Sequence, residues 1–196
     1  MRRKAPSTRT LDAAPVTVWT IGHSTRTAEG FFGLLDESRI EILADVRHFP
    51  SSKHVPWTNR DTLAEALRVR GLGYEHFVDL GGYRKPSPDS TNTAIRNSMF
   101  RGYADHMETE AFRASLEKLL IVTASHRVAV MCAEAVPWRC HRSFLADALL
   151  ARGTRVVHIL SPGHMREHRL SAAAHVRAGS VSYPGGAQKG LKRPRG

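Results

Sequence analysis

The sequence predicts an α/β fold: a three-layer sandwich with a mainly parallel sheet of about five strands and a functional site at the sheet's carboxyl edge. Three observations carry this reading. Short β-branched or apolar runs alternate with segments whose apolar residues recur at helical spacing, the signature of βαβ units. Turn residues punctuate the boundaries, among them Gly22, Gly71, Gly81-Gly82 and Gly153. Polar residues with chemistry to offer stand directly after the apolar runs. Right-handed crossovers place all such strand ends on one edge.

Taken in order, Val16 to Ile21 is β-branched and aromatic and reads as the first strand, ending at Gly22-His23-Ser24. Thr27 is a candidate N-cap for a helix carrying Phe31, Leu34 and Leu35. Ile42 to Val46 is the second strand and runs into Asp45-Val46-Arg47. After the loop HFPSSKHVPW, Asn59 can cap a helix with Leu63, Ala66 and Leu67 on one face and Gly71 as its stop. A third strand is expected near Tyr74 to Val78. Residues 83–98 contain Pro86 and Pro88 and read as a long surface loop of the kind that is often functional or mobile. Phe100 to Tyr103 leads into a helix whose stripe is Phe112, Leu116, Leu119 and Leu120. Val128 to Met131 is the fourth strand, Arg142 to Arg152 its helix, and Val156 to Leu160 the fifth strand.

The chain has 196 residues and 41% hydrophobic residues, enough for one packed core. We expect a disordered basic tail over 1–15, a single α/β domain over 16–162, and a mostly flexible basic tail over 163–196. The formal charge of +11 is concentrated at the ends: residues 1–14 carry +3 and residues 163–196 carry +6, which leaves the body at +2. Basic tails bind polyanions weakly and without sequence preference, so weak nucleic-acid binding through the tails is one expectation and a solvated tail the other. Two cysteines do not form a disulfide framework. No apolar run reaches the roughly 20 residues that cross a bilayer, and the N-terminus lacks the apolar stretch of a secretory signal. The expectation is a cytoplasmic protein without a membrane partner.

The chemistry concentrates in Val128 to Ser143, VAVMCAEAVPWRCHRS, which holds both cysteines. It reads as strand, loop and helix, and open α/β sheets bind ligands at such junctions. Orphan N–H groups at a helix start favour anions and thiolates. Cys132 is therefore the expected nucleophile, with a pKa well below the free value of about 8.5. Its bland reading is a buried core thiol. Cys140, at the helix start, is a resolving partner, a metal ligand or a cap residue.

An ordered set of motifs then carries a resemblance. TIGHS at 20–24, ADVR at 44–47, PSSK at 50–53, LGG at 80–82, FRGYADHM at 100–107, MCAE at 131–134 and CHR at 140–142 follow one another. This arrangement resembles the bacterial and archaeal family called domain of unknown function 488, over roughly residues 16–160. The family implies a fold and a set of positions, but no reaction. A weaker likeness of layout is to rhodanese-like sulfurtransferases and cysteine phosphatases, which also place Asp-Val-Arg after one strand and a nucleophilic Cys after another. Here six residues separate Cys132 from Arg139, where the phosphatase loop has five.

The candidate catalytic set is Cys132, His23, Asp45 and Glu134. The candidate substrate-binding set is Arg47, Arg139, Arg142, Ser24 and Tyr103. Asp45 and Arg47 lie two apart on a strand and point the same way, so an ion pair ordering the strand end is the alternative to catalysis. His23 and His141 are bases or structural histidines. Tyr103 has packing as its plainer reading. Together these residues suggest an enzyme that uses a cysteine thiolate on a small anionic substrate, by sulfur transfer, phosphoryl transfer or redox chemistry. No cofactor is expected. The alternatives are a zinc site from Cys132, Cys140, His141 and His23, and a nucleic-acid-associated protein.

Overall fold

The computed structural model describes residues 15–185. Its centre is a six-stranded sheet of order β3-β2-β4-β1-β5-β6. The strands are β1 (Thr17–Gly22), β2 (Ile42–Asp45), β3 (Gly73–His76), β4 (Val128–Cys132), β5 (Arg155–Ser161) and β6 (His164–Glu167). The first five pair in parallel, and β6 runs antiparallel to β5. Helices α1 (Ala28–Glu37), α2 (Arg60–Val69), α3 (Ser98–His106), α4 (Glu110–Ser125) and α5 (Arg142–Ala151) make the connections.

The pleat of the strands sorts their side chains into two cores. On one face Trp19, Ile21, Leu43, Ala129 and Met131 pack against Phe31, Leu35, Leu63 and Leu67 of α1 and α2. On the other, Val18, Ala44, Val128, Val130 and Cys132 pack against Tyr103, Leu116, Leu119 and Leu145 of α3, α4 and α5. β4 is buried along its whole length, as expected of a central parallel strand covered on both faces. The architecture is the expected three-layer sandwich. Thr27 caps α1 by accepting from the Gly30 N–H. Asn59 precedes α2, but its Oδ1 accepts from Ser52 N–H instead of a helix amide. β3 stops at His76, and a short 3-10 turn, Val78–Leu80, replaces its expected end.

The long loop after Gly82 is pinned by buried Asn92, whose Nδ2 donates to Asp105 Oδ1 and Glu108 Oε1, both at 2.9 Å. The expectation of a mostly flexible tail after residue 162 is corrected for residues 163–185. β6 extends the sheet, and β7 (His175–Arg177) and β8 (Ser180–Ser182) form an antiparallel hairpin. Val181 and Tyr183 then enter the core beside α5. The expected tail over 1–14 and the remainder, 186–196, lie outside the described residues.

A buried polar chain ties this return to the body. Thr20 Oγ1 meets His158 Nδ1 at 2.7 Å, His158 Nε2 meets His168 Nδ1 at 3.0 Å, and His168 Nε2 meets Asp147 Oδ1 at 2.9 Å. Tyr183 donates its hydroxyl to Asp147 Oδ2 at 2.8 Å, and Asn92 Oδ1 accepts from Tyr183 N–H at 2.7 Å. A buried carboxylate oxygen that loses its donor costs about 1–3 kcal/mol. Tyr183→Phe should therefore lower unfolding stability by about that amount in urea titration, with the fold retained.

Candidate functional site

The parallel strands bring the polar residues to the carboxyl edge through their own register. Gly22 pairs with Cys132, and His23 N–H and Ser24 N–H continue the ladder to the carbonyls of Cys132 and Ala133. Gly22 is required there: a Cβ at this position would lie 1.8 Å from the Glu134 carbonyl oxygen and 3.0 Å from Arg142 Nη2. A cavity of about 260 Å³ opens at this edge, lined by His23, Arg47, Cys132, Glu134, Cys140 and His141 among others.

The two thiols are free and buried, Cys132 at 2% and Cys140 at 3% exposure. Cys140 stands just before α5. Its Sγ accepts from Arg142 N–H at 3.5 Å and lies 3.6 Å from His141 Nδ1. The His141 ring is oriented from its far side, where Nε2 lies 3.1 Å from the Val46 carbonyl. Gly82 makes room for the ring, since a Cβ there would sit 3.0 Å from Nδ1.

Burial alone would raise both thiols. At Cys140 it is outweighed by hydrogen bonds from Cys132 and His141 and by the positive potential of His141 and Arg142, so this thiol falls well below its ordinary value. Burial and the hydrogen bond to Cys140 hold Cys132 well above its own. The helix start predicts a lowered pKa at Cys140 as well as at Cys132; it is Cys140 that is lowered, while Cys132 is raised. Cys132 closes a strand deep in the sheet and acts as the proton-bearing partner, whereas Cys140 meets the donors at the helix start.

Arg142 is 1% exposed and is the largest fully buried side chain. Its Nη2 donates to the carbonyls of Glu134 and Ala135, and among the described residues no carboxylate pairs with it. A guanidinium stays charged even when buried. The nearby group best able to balance it is the Cys140 thiolate. Arg142 therefore does not stand open for substrate; it fixes the loop after β4 and sets the potential at the thiols.

The remaining sequence candidates separate in the same way. Asp45 is fully buried and outside the cavity lining. It accepts from Arg47 N–H, from Arg47 Nε and Nη2, and from the Tyr74 hydroxyl. Its oxygens are taken up by these donors, and it anchors Arg47. Arg47 also donates to the Thr58 carbonyl at 2.8 Å, which leaves its Nη1 without a hydrogen-bond partner among the described residues. Glu134 is exposed at the cavity rim. Ser24 lies beside the site with a left-handed backbone, φ 48°, but does not line the cavity. Tyr103 is buried and donates to the Leu80 carbonyl at 2.9 Å, and Arg139 is exposed on the far side of Cys140. No group of three or more His, Cys, Asp or Glu side chains among the described residues is arranged to hold a metal ion, and the four residues named for zinc do not form one.

His23 is 4% exposed. Its Nδ1 lies 3.0 Å from the Ser24 carbonyl, and its Nε2 has no partner among the described residues. Donation from Nδ1 leaves Nε2 as an unused acceptor on a residue that lines the cavity. Burial is the main reason that its pKa is held down to about 4, with the charges of Arg47 and Arg142 adding to it against the pull of the Ser24 carbonyl and Asp45. His48 was not singled out in the sequence, yet it lines the same cavity with an unpartnered buried Nδ1. Its place after the Asp45-Val46-Arg47 run was the available signal.

Fold and site together define a parallel α/β protein with paired thiols, backed by a buried arginine, at the carboxyl edge of its sheet. The chain belongs to the family described as Domain of unknown function DUF488, whose family model matches residues 27–149. No curated protein and no solved structure matches it. No helix among the described residues is long and apolar enough to cross a membrane.

Two predictions follow from this geometry. A histidine with a folded pKa below its unfolded value contributes stability that is complete above the unfolded value, near 6.5, and is lost as pH falls toward the folded one. His23, at about 4, and buried His158, held by burial and by the charge of His168 at about 3, both act in this direction. Urea unfolding should show stability falling between pH 6.5 and 4, with His23 alone accounting for ~3 kcal/mol, and His23→Gln should flatten that slope. The second concerns Tyr83, which is 73% exposed with φ 61°. A non-glycine residue there stores of order 1–3 kcal/mol of strain and loses little packing if removed. Tyr83→Gly should melt no lower than the parent.

Proposed function

We propose that this protein is an enzyme whose nucleophile is the Cys140 thiolate, acting on a small anionic electrophile. The observation that carries the proposal is the cluster of Cys132, Cys140, His141 and buried, carboxylate-free Arg142 at the wall of a cavity. The neighbouring Cys132 thiol favours the anion at Cys140. Unpaired Nη1 of Arg47 and the Ser51 and Ser52 side chains at the same cavity suit an anionic group. His23 Nε2, neutral above about pH 4, can accept a proton or a hydrogen bond from the substrate.

In the reacting step the thiolate forms a bond to the electrophilic atom, and the bond to the leaving group breaks. The leaving group departs with the electron pair and takes a proton from His141 Nδ1 or from Cys132. A second, protonated nucleophile then displaces the carried group, returns its proton to the group that gave one up, and restores the thiolate. Sulfur and phosphoryl groups both fit this scheme. In redox use the electrophile is itself the oxidant, a peroxide or a disulfide: Cys132 attacks the sulfur of the Cys140 adduct, hydroxide or thiolate leaves with the electron pair, and an external thiol reduces the resulting disulfide.

The test is alkylation by iodoacetamide against pH, with elemental analysis of the same preparation. The wild-type protein should label at Cys140 with a midpoint below the free-thiol value of about 8.5. Cys140→Ser should abolish the fast phase. Cys132→Ser should keep it, with the midpoint moved upward because a thiol neighbour is lost. Labelling that begins only on unfolding defeats the proposal. About one equivalent of zinc, lost together with stability in Cys140→Ser, would replace it with a metal site.

A further inference from the structure

We infer that a second, smaller lobe beside Cys140 binds an uncharged aromatic ring of the substrate. This inference rests on the thiolate reading for its chemical meaning, though not for the binding itself. The lobe has a volume of about 140 Å³ and shares Gly82, Tyr83, Glu134, Cys140 and His141 with the larger cavity. Cys140 and His141 thus form a wall common to both lobes, and a molecule lying across them presents its middle to the thiol.

The two lobes differ in character. The larger one holds the polar side chains His23, Arg47, Ser51 and Ser52 beside apolar lining from Phe49 and Ala133. The smaller one adds Met99, Phe100 and Tyr103. An apolar cavity of about 150 Å³ is sufficient for one benzene ring. Aromatic faces are already in place there: the rings of Tyr103 and His141 are 5.1 Å apart, and Phe100 lies 5.5 Å from Phe144. Away from the Cys140 and His141 wall, the charged side chains lining this lobe are Arg139 and Glu134, one of each sign, and they cancel.

The lip of the lobe gives a second, independent indication. Tyr83 and Met99 are 73% and 54% exposed, and Phe49 at the neighbouring mouth is 65% exposed, with its ring 5.9 Å from that of Tyr83. Three large apolar side chains held in water around one opening mark a binding surface. Tyr83 occupies its place with a left-handed backbone that only glycine adopts freely. The loop is nonetheless held in this shape: Arg84 Nε donates to the Gly81 carbonyl and Arg84 Nη2 to the Val78 carbonyl, both at 3.2 Å. Backbone strain kept at the mouth of a cavity is characteristic of functional positions.

The experiment compares 2-chloroacetamide with N-benzyl-2-chloroacetamide. In both, the Cys140 sulfur forms a bond to the methylene carbon, and chloride leaves with the electron pair. Each rate is divided by that for free glutathione. The benzyl reagent should be favoured by about tenfold or more, the advantage expected from burying one ring. Met99→Ala and Tyr83→Gly should each lower that ratio. In parallel, unreactive N-benzylacetamide should shift the Met99 methyl resonance saturably in the wild-type protein. A ratio of one, with fast labelling by chloroacetamide, overturns the ring lobe and leaves the thiolate reading standing. Absence of labelling by both reagents sinks the thiolate reading; a saturable Met99 shift would then still support the lobe. Absence of that shift overturns the lobe, whatever the thiol does.

Discussion

The charge of Arg142 is the constraint on which the site depends. A guanidinium taken out of water without a carboxylate costs several kcal/mol unless something else compensates it. Here the compensation is distributed. Carbonyls of Glu134 and Ala135 accept from its Nη2, which fixes the loop between β4 and α5, while its Nε has no partner among the described residues. Its potential favours the thiolate at Cys140 and opposes protonation at His23 and His158. One buried cation thereby adds, after burial and nearer groups, to the balance of protonation just after β1, on β5 and at the start of α5. Gly22 is part of the same arrangement, because only a residue without a Cβ lets the Glu134 carbonyl and Arg142 Nη2 come so close to β1.

Much of the fold was legible because it rests on periodicity. The parallel strands, the Thr27 cap and the two apolar faces follow from alternation and helical spacing, which act locally. The C-terminal return was not legible for a physical reason. β6 and β7 are exposed at every residue, so they carry no apolar alternation. What holds this segment is a few long-range contacts, chiefly Tyr183 on Asp147 and Asn92 on Tyr183, that no local pattern announces. His158 and His168, ten residues apart, meet because β6 folds back antiparallel on β5 and returns the chain past it.

The site was legible as a place and less so as a set of roles. Strand ends in a parallel sheet converge, so His23, Arg47, Cys132 and Glu134 could be gathered from sequence order alone. Their roles depend on donors arriving from elsewhere. Asp45 shares a strand face with Arg47, and that spacing already allowed the ion pair that the structure shows. The helix start pointed to a lowered Cys140, but the raised Cys132 could not be read, because it depends on burial at the sheet end and on the neighbouring thiol.

The polar chain from Thr20 to Asp147 has a property that its distances alone do not convey. With His168 neutral, donation runs from Thr20 to His158 to His168, while His168 Nε2 donates to Asp147. With a proton added to His168, the first two bonds reverse, and His168 donates to His158, which donates to Thr20. Each heavy-atom contact remains a hydrogen bond in both cases and only hydrogens move, although the reversed chain leaves the Thr20 hydroxyl hydrogen without an acceptor among the described residues. The chain therefore has two polarities in one set of heavy-atom positions. A change of charge beside α5 can alter the dipole running under β1 without repacking the core around it.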